Sequence, residues 1–280
     1  MVGLLGLTGL AVAAFTISDD VQDEALPGVG VLVVALVLHI VALLFAAWAW
    51  VSLFPRDADR RSLAVGLYTS QLAKYLPAGG VLQAAGQIAS AGQSGVAAAA
   101  LRLPVFSLCL VTAGATLASG LVFASDLPAW GRAVAGLGVL SPLVLDRRIL
   151  EALLRAAKRA IKRLPEPEAL PPQSRIVHAY LFGLGNLISY GAAYAVLLTD
   201  VADVNPFIAG SALCAAWVAG YLVVPLPSGL GVREAVLVAA LPGAAASLFA
   251  ASVAHRLLGI GAEATLAGLT TVRAHWLRRR

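Results

Sequence analysis

Apolar residues in this chain fall into long blocks rather than alternating with polar ones. The blocks cover residues 2–17, 28–54, 96–125, 128–145, 176–198, 207–242 and 244–272, separated by short polar stretches. An α-helix of about 20 apolar residues matches the hydrocarbon core of a bilayer, so most blocks predict spanning helices. The period-two alternation of a membrane β-barrel is missing. Residues 2–17 lack a charged leading region and read as a short retained span, with a cleaved signal peptide as the alternative. Two segments depart from the pattern. Residues 63–95 are only moderately apolar and contain Gln71, Lys74, Pro77, Gly79, Gly80, Gln83, Gln87 and Gln93. Residues 207–242 are apolar but interrupted by Pro225, Pro227, Gly229 and Gly231.

Composition agrees with lipid as the solvent. The 280 residues are 60 % hydrophobic and 12 % charged, with a mean hydropathy of +0.86. Soluble domains carry about 25 % charged residues, so a soluble enzyme, a nucleic-acid binder and a disordered chain are all disfavoured. The expectation is one integral membrane domain over residues 1–280. Its net charge of +5 then marks cytoplasmic loops rather than a nucleic-acid surface.

The basic residues orient the spans. Three segments, 55–62, 146–175 and the tail from Arg273, hold 15 of the 20 lysines and arginines. Segments 18–27 and 199–206 hold none, but carry Asp19, Asp20, Asp23, Glu24, Asp200 and Asp203. The positive-inside rule places the first set in the cytoplasm and the second outside, with both termini cytoplasmic. Counting crossings then requires 63–95 to start and finish inside, and 207–243 to start and finish outside. Each carries Pro and Gly at its centre. The predicted architecture is therefore an all-α polytopic transmembrane helical bundle with two Pro/Gly-broken re-entrant hairpins. An inverted repeat of the transporter type would arrange them this way.

Within 146–175, Ile149, Leu150, Leu153, Leu154, Ala157 and Ile161 recur at helical spacing, with Arg148, Arg155, Lys158, Arg159, Lys162 and Arg163 mostly elsewhere around the wheel. This is the pattern of a cytoplasmic amphipathic helix lying on an anionic leaflet. Pro165, Pro167, Pro171 and Pro172 end it. Trp48, Trp50, Trp130 and Trp276 fall near span ends, as interfacial aromatics do. Arg102 and Arg132 fall there too and are expected to snorkel. Cys109 and Cys214 sit in apolar runs and read as small buried residues.

The inventory for catalysis is thin. There is no acidic cluster for metal-phosphate chemistry, no paired-histidine helix motif and no nucleophile elbow. His39, His178, His255 and His275 are scattered. No catalytic residue, metal or cofactor is expected. Lys74, Arg233 and Arg256 lie inside the predicted membrane segments, and a buried charge there is costly unless something answers it. Lys74 precedes the first break. Arg233 and Glu234 open the helix after the second. Arg256 and Glu263 share one face of the last helix, about 10 Å apart along its axis. The alternatives are a phosphate cradle and structural ion pairs holding the broken helices, and both can hold at once.

Two motifs, Gln71-x-x-Lys74-Tyr75-Leu76-Pro77-x-Gly79 and Pro227-Ser228-Gly229-Leu230-Gly231-Val232-Arg233-Glu234, together with Arg256 in the last helix, resemble the lysylphosphatidylglycerol synthase transmembrane region family. This is a flippase-like membrane domain. The resemblance covers nearly the whole chain. It implies an α-helical bundle with broken helices that moves a lipid between leaflets. It also implies substrate-binding positions at Lys74, Tyr75, Pro77, Gly79, Pro227, Gly229, Gly231, Arg233, Glu234, Arg256 and Glu263. The synthase's soluble aminoacyl-transferring domain has no counterpart here, so no synthase activity is expected of this chain. The expected function is binding and translocation of an anionic phospholipid or a polyprenyl-phosphate-linked sugar in the inner (cytoplasmic) membrane. The alternative is a non-transporting scaffold subunit for a glycosyltransferase or another lipid-modifying enzyme. Membrane lipid is the expected partner, with a glycosyltransferase as a further one and no nucleic acid.

The charge asymmetry makes a topological prediction. A cysteine placed at position 22 should react with an impermeant thiol reagent added outside the cell, and one at position 160 should not. The reverse labelling pattern would invert the whole arrangement.

Overall fold

The computed structural model describes residues 27–76, 79–92, 95–160, 170–222, 231–241 and 245–278. The first predicted span, residues 2–17, lies outside them. Among the described residues the chain forms ten α-helices and no strand. In order they are α1 (Val29–Ser52), α2 (Arg60–Gln71), α3 (Gly79–Ser90), α4 (Val96–Ala118), α5 (Ala129–Gly136), α6 (Arg147–Ala160), α7 (Gln173–Val201), α8 (Pro206–Leu222), α9 (Val232–Ala240) and α10 (Ala245–Arg278). Three stretches are long and apolar enough to cross a membrane: α1, α4 with its continuation to Phe123, and α7. That is consistent with a membrane protein. The closing helix α10 has 34 residues but is less apolar, because Arg256, Glu263 and several threonines interrupt it.

The frame is the antiparallel pair α1 and α7. At one end the Gly28 N–H donates to Asp200 Oδ2 at 2.7 Å. Midway the Asn186 side-chain amide donates to the Ala42 carbonyl at 2.7 Å. Further along, Trp48 stacks on Phe182. The Gly28–Asp200 contact ties the start of α1 to the end of α7. At the opposite end, the Gln173 side chain holds the start of α6, accepting from the Arg147 N–H at 2.8 Å.

Side chains at that end depart from expectation in two places. Trp50 is fully buried, edge-on to Phe54 and Phe106, so it belongs to the core and not to an interfacial belt. Arg102 does not snorkel freely. Its Nε donates to the Leu53 carbonyl at 3.0 Å and its guanidinium lies over the Phe54 ring, 5.1 Å from the centroid. It thereby satisfies a carbonyl left open where α1 ends.

The predicted short span at 128–145 is made of two kinds of helix. Eight α-helical residues, α5, continue into nine residues of 3₁₀ helix, Leu137–Leu145. At about 1.5 and 2.0 Å of rise per residue, the two halves together reach roughly 30 Å, where 17 α-helical residues would reach only about 25 Å. Tight packing holds the thinner half in place. A Cβ on Gly138 would lie 2.1 Å from the Ala115 carbonyl oxygen. Ser141 Oγ donates to the Thr112 carbonyl at 3.0 Å. The outward side, Trp130, Val134, Leu137, Leu140 and Leu143, is exposed and apolar.

Helices α2 and α3 pack antiparallel and touch through small residues. A Cβ on Gly66 would lie 1.9 Å from Ser90 Cβ, and one on Gly86 would lie 3.0 Å from Ser70 Cβ. Gly66 and Ser70 are four apart on α2, and Gly86 and Ser90 are four apart on α3. The crossing is therefore a reciprocal small-xxx-small contact of the kind used between membrane helices. Asp59 caps α2, its carboxylate accepting from the Arg61 and Ser62 N–H groups and the Ser62 hydroxyl.

The first break is narrower than the motif suggests. A 3₁₀ turn, Leu72–Tyr75, follows α2, and Leu76 is extended. Helix α3 has already resumed at Gly79, so Gly79 and Gly80 are helical and not part of the break. Pro77 lies outside the described residues, as do Pro225, Pro227 and Gly229 of the second break. The far side of that break, Gly231, has φ +83°, a conformation that glycine adopts without strain.

The hairpin contact can be tested with two glycines. Gly66→Ala should destabilise the protein by about 1–3 kcal/mol through overpacking against Ser90. Gly80→Ala, with nothing within 4 Å of the new methyl, should be neutral or slightly stabilising. Thermal unfolding of the two variants in detergent checks the difference.

Candidate functional site

The charges inside the apolar segments, Glu263 buried and the others half-buried, come from three places in the chain and meet on α10. Glu263 is the more deeply buried member of an ion pair with Lys74 Nζ. Seven residues earlier on α10, Arg256 Nη2 bonds Glu234 Oε1 at 2.5 Å. So Arg256 and Glu263 do not satisfy each other, and Glu234 is not paired with its neighbour Arg233. Each charge on α10 is answered by a residue beside one of the two breaks. The separation of about 10 Å along the helix is too long for a direct contact between the two α10 charges.

Local structure aims these partners. Lys74 is in the 3₁₀ turn after α2, where its ammonium also reaches Gln71 Oε1 at 3.3 Å and stands 5.2 Å from the Tyr75 ring centroid. Gly79 sets the position of that turn. A Cβ at 79 would lie 2.4 Å from the Lys74 carbonyl oxygen and 2.7 Å from that of Ala73. The returning helix can pack on these carbonyls only without a side chain there. Gly79 is thus a positioning residue for Lys74.

Glu234 has two tasks. Its Oε2 accepts from the Gly231 N–H at 2.7 Å, capping α9, while Oε1 takes Arg256. The cap and the ion pair share one carboxylate, and its negative charge also suits the helix N-terminus. Arg233, on the same first turn, makes no ion pair among the described residues, and its Nε is buried without a hydrogen-bond partner. The two arginines and His255 are electrostatic neighbours.

Between the two ion pairs lies a cluster of rings. His255 packs on His39 with centroids 4.4 Å apart, on Tyr190 at 4.4 Å and on Tyr194 at 5.6 Å. His255 Nε2 is 3.1 Å from the Tyr190 carbonyl, and His39 Nδ1 is 2.8 Å from the Ala35 carbonyl, so each ring has a backbone acceptor. Tyr75 and Tyr190 flank Lys74 and Glu263. In the sequence His39 and His255 are two of four scattered histidines, with nothing to mark them as neighbours. Tyr190 and Tyr194 were missed, and nothing in an apolar run marks them out beyond their hydroxyls.

The site therefore brings together Lys74, Tyr75, Gly79, Gly231, Arg233, Glu234, Arg256 and Glu263, while Pro77, Pro227 and Gly229 lie outside the described residues. Its formal balance is three cations, Lys74, Arg233 and Arg256, against two acids, Glu234 and Glu263. With both histidines neutral the excess is one positive charge. Among the described residues no group of three or more His, Cys, Asp and Glu side chains is placed to hold a metal. The two cysteines are buried and far from this chemistry, Cys109 facing the Ile176 carbonyl and Cys214 the Leu187 carbonyl. Compared with known protein families, with characterised proteins and with solved structures, the chain matches none.

The pairing makes a coupled prediction. Glu263→Gln should strip Lys74 of its acid and cost about 3 kcal/mol. The double variant Lys74→Gln/Glu263→Gln should recover a large part of that loss. Additive losses on thermal unfolding would mean that the two groups do not interact.

Proposed function

We propose that this chain is a flippase-like membrane protein that binds an anionic lipid at its buried charge cluster and carries it between leaflets. The observation that carries the reading is Arg233. It is a third cation beside two complete ion pairs, at a helix N-terminus that already favours an anion. A cation at membrane depth without an acid calls for an anionic partner, and in a bilayer the abundant anion is a lipid phosphate. The motifs that resemble the lysylphosphatidylglycerol synthase transmembrane region family contain Lys74, Arg233 and Glu234, which supports the same reading. The candidate cargo is an anionic phospholipid or a polyprenyl-phosphate-linked sugar.

In this reading the chain is polytopic in the inner membrane with cytoplasmic termini. The hairpin of α2 and α3 enters from the cytoplasmic side, and the segment containing α8 and α9 enters from outside. Both bring charge to α10 near mid-membrane. His39, about halfway along α1, sits within the same belt.

Removing a side chain that no acid holds should cost little stability. Arg233→Ala is therefore expected to remain folded and inserted, with its melting temperature within a few degrees of the parent's. It should lose transfer of fluorescent anionic phospholipid in proteoliposomes by tenfold or more. Arg256→Ala differs, because it leaves Glu234 without its cation and should lose stability and transfer together. Normal transfer by a stable Arg233→Ala protein would remove the residue from the site. If the purified parent moves no lipid but co-purifies with a glycosyltransferase, the scaffold reading replaces the transporter.

A further inference from the structure

The two buried histidines hold their protons at defined atoms. A carbonyl can only accept, so His39 carries its proton on Nδ1, facing Ala35, and His255 carries its own on Nε2, facing Tyr190. The second nitrogen of each ring is left as a base. His39 Nε2 is buried without a hydrogen-bond partner, on a residue only 2 % exposed. It looks into a notch in α10. A Cβ on Gly259 would lie 3.3 Å from His39 Cδ2 and 3.5 Å from Nε2, so the glycine keeps the ring's approach to the helix open. Gly259 is one turn, about 6 Å, from His255 on one side and from Glu263 on the other. The His255 main-chain carbonyl points along the helix toward this notch and lies beside the His39 ring. The neutral ring thus turns a lone pair toward a carbonyl, two acceptors with no hydrogen between them. One added proton makes Nε2 a donor, and both nitrogens of His39 then face carbonyl oxygens.

We infer that His39 is a proton-binding site at the centre of the bundle, and that the proton it takes up strengthens binding of an anion at the neighbouring charge cluster. The proton comes from solvent, forms the Nε2–H bond and leaves the ring with one positive charge. The surroundings assign it to His39 and limit it to one. His255 touches His39 with ring centroids 4.4 Å apart, and two imidazolium rings that close repel strongly in a low-dielectric interior. His255 has Arg233 of α9 and Arg256 of α10 as electrostatic neighbours; Glu234 answers Arg256, while Arg233 makes no ion pair among the described residues. His39 instead has Lys74, whose charge Glu263 answers. From α7, Tyr190 stands edge-on to both rings and Tyr194 to His255, with phenols that stay uncharged near neutral pH. The proton therefore settles on His39, the ring farther from the unanswered arginine. It raises the cluster's excess of one positive charge to two. Linkage is reciprocal, so a bound anion holds the proton as strongly as the proton holds the anion. The coupling rests on the lipid-binding reading, whereas the proton site does not.

The test uses the full chain in detergent, with His178→Gln and His275→Gln so that only His39 and His255 report. With nitrogen-15 in the histidine rings, NMR from about pH 5 to 8.5 reads the protonation of each ring nitrogen. With phosphatidylglycerol bound, His39 should pass from neutral to doubly protonated as pH falls, and His255 should stay neutral with its proton on Nε2. Uptake of a single proton can change affinity by about tenfold per pH unit at most. Phosphatidylglycerol should bind roughly fivefold or more tightly at about pH 5.5 than at about pH 8. In His39→Gln the two affinities should be equal. Gly259→Ala keeps both histidines but pushes a methyl into the His39 ring, and it should also reduce the pH dependence, which provides a second variant should His39→Gln not fold. A His39 that stays neutral throughout, with and without lipid, overturns the proton site, and titration of His255 in its place overturns the assignment. A titrating His39 beside pH-independent phosphatidylglycerol binding overturns the coupling alone. A titrating His39 in a protein that binds no phosphatidylglycerol supports the proton site and counts against the lipid-binding reading.

Discussion

Helix α10 carries a cation and an anion two turns apart, and neither can satisfy the other. That constraint fixes how the rest of the molecule closes. Arg256 needs an acid and Glu263 needs a base, both within an apolar bundle where a lone charge is costly. The chain supplies them from opposite halves of the sequence, Glu234 from beside the second break and Lys74 from beside the first. Both interrupted elements are thereby fastened to one helix. Mispairing is disfavoured because the residue that each break supplies is held by a second local contact. Glu234 is committed to the Gly231 N–H, and Lys74 is fixed by a turn that only Gly79 allows to pack.

The helices around this spine are held by different means. Small residues let backbones approach where α2 crosses α3, and hydroxyl-to-carbonyl bonds join α4 to the 3₁₀ segment that follows α5. Neither depends on burying apolar area from water, which suits a bundle whose surroundings are as apolar as its core. The histidine and tyrosine rings fill the space between the two ion pairs. They are polar enough to sit beside charge and flat enough to pack at 4.4 Å.

Much of this was legible in the sequence, because lipid imposes strong patterns. The helical class, the long runs at α1, α4 and α7, and the amphipathic α6 all follow from block hydropathy and periodicity. The five charged residues inside apolar segments were identifiable for the same reason. Their pairing was not. Sequence separation favours neighbours such as Arg233 with Glu234, whereas the contacts join residues 22 and 189 positions apart. Trp50 was misread because distance from a span end says nothing about which way a ring points. The Gly66–Ser70 and Gly86–Ser90 spacings were visible, yet they become informative only once the two helices are known to run antiparallel. The 3₁₀ half of the 128–145 segment left a weaker signal still, an apolar run slightly too short for its task.

A bundle that needed only to hold its broken helices together would be complete with two ion pairs. Each pair removes one buried cation and one buried acid, and the balance of Lys74, Glu263, Arg256 and Glu234 is already zero. Arg233 adds a charge that stability alone does not call for. It stands on the first turn of α9, where a cation opposes the helix dipole, and next to an acid that is already fully engaged. Replacing it by an apolar residue would relieve both conflicts. The proposed anionic lipid would give that arginine a partner, which a purely structural bundle does not.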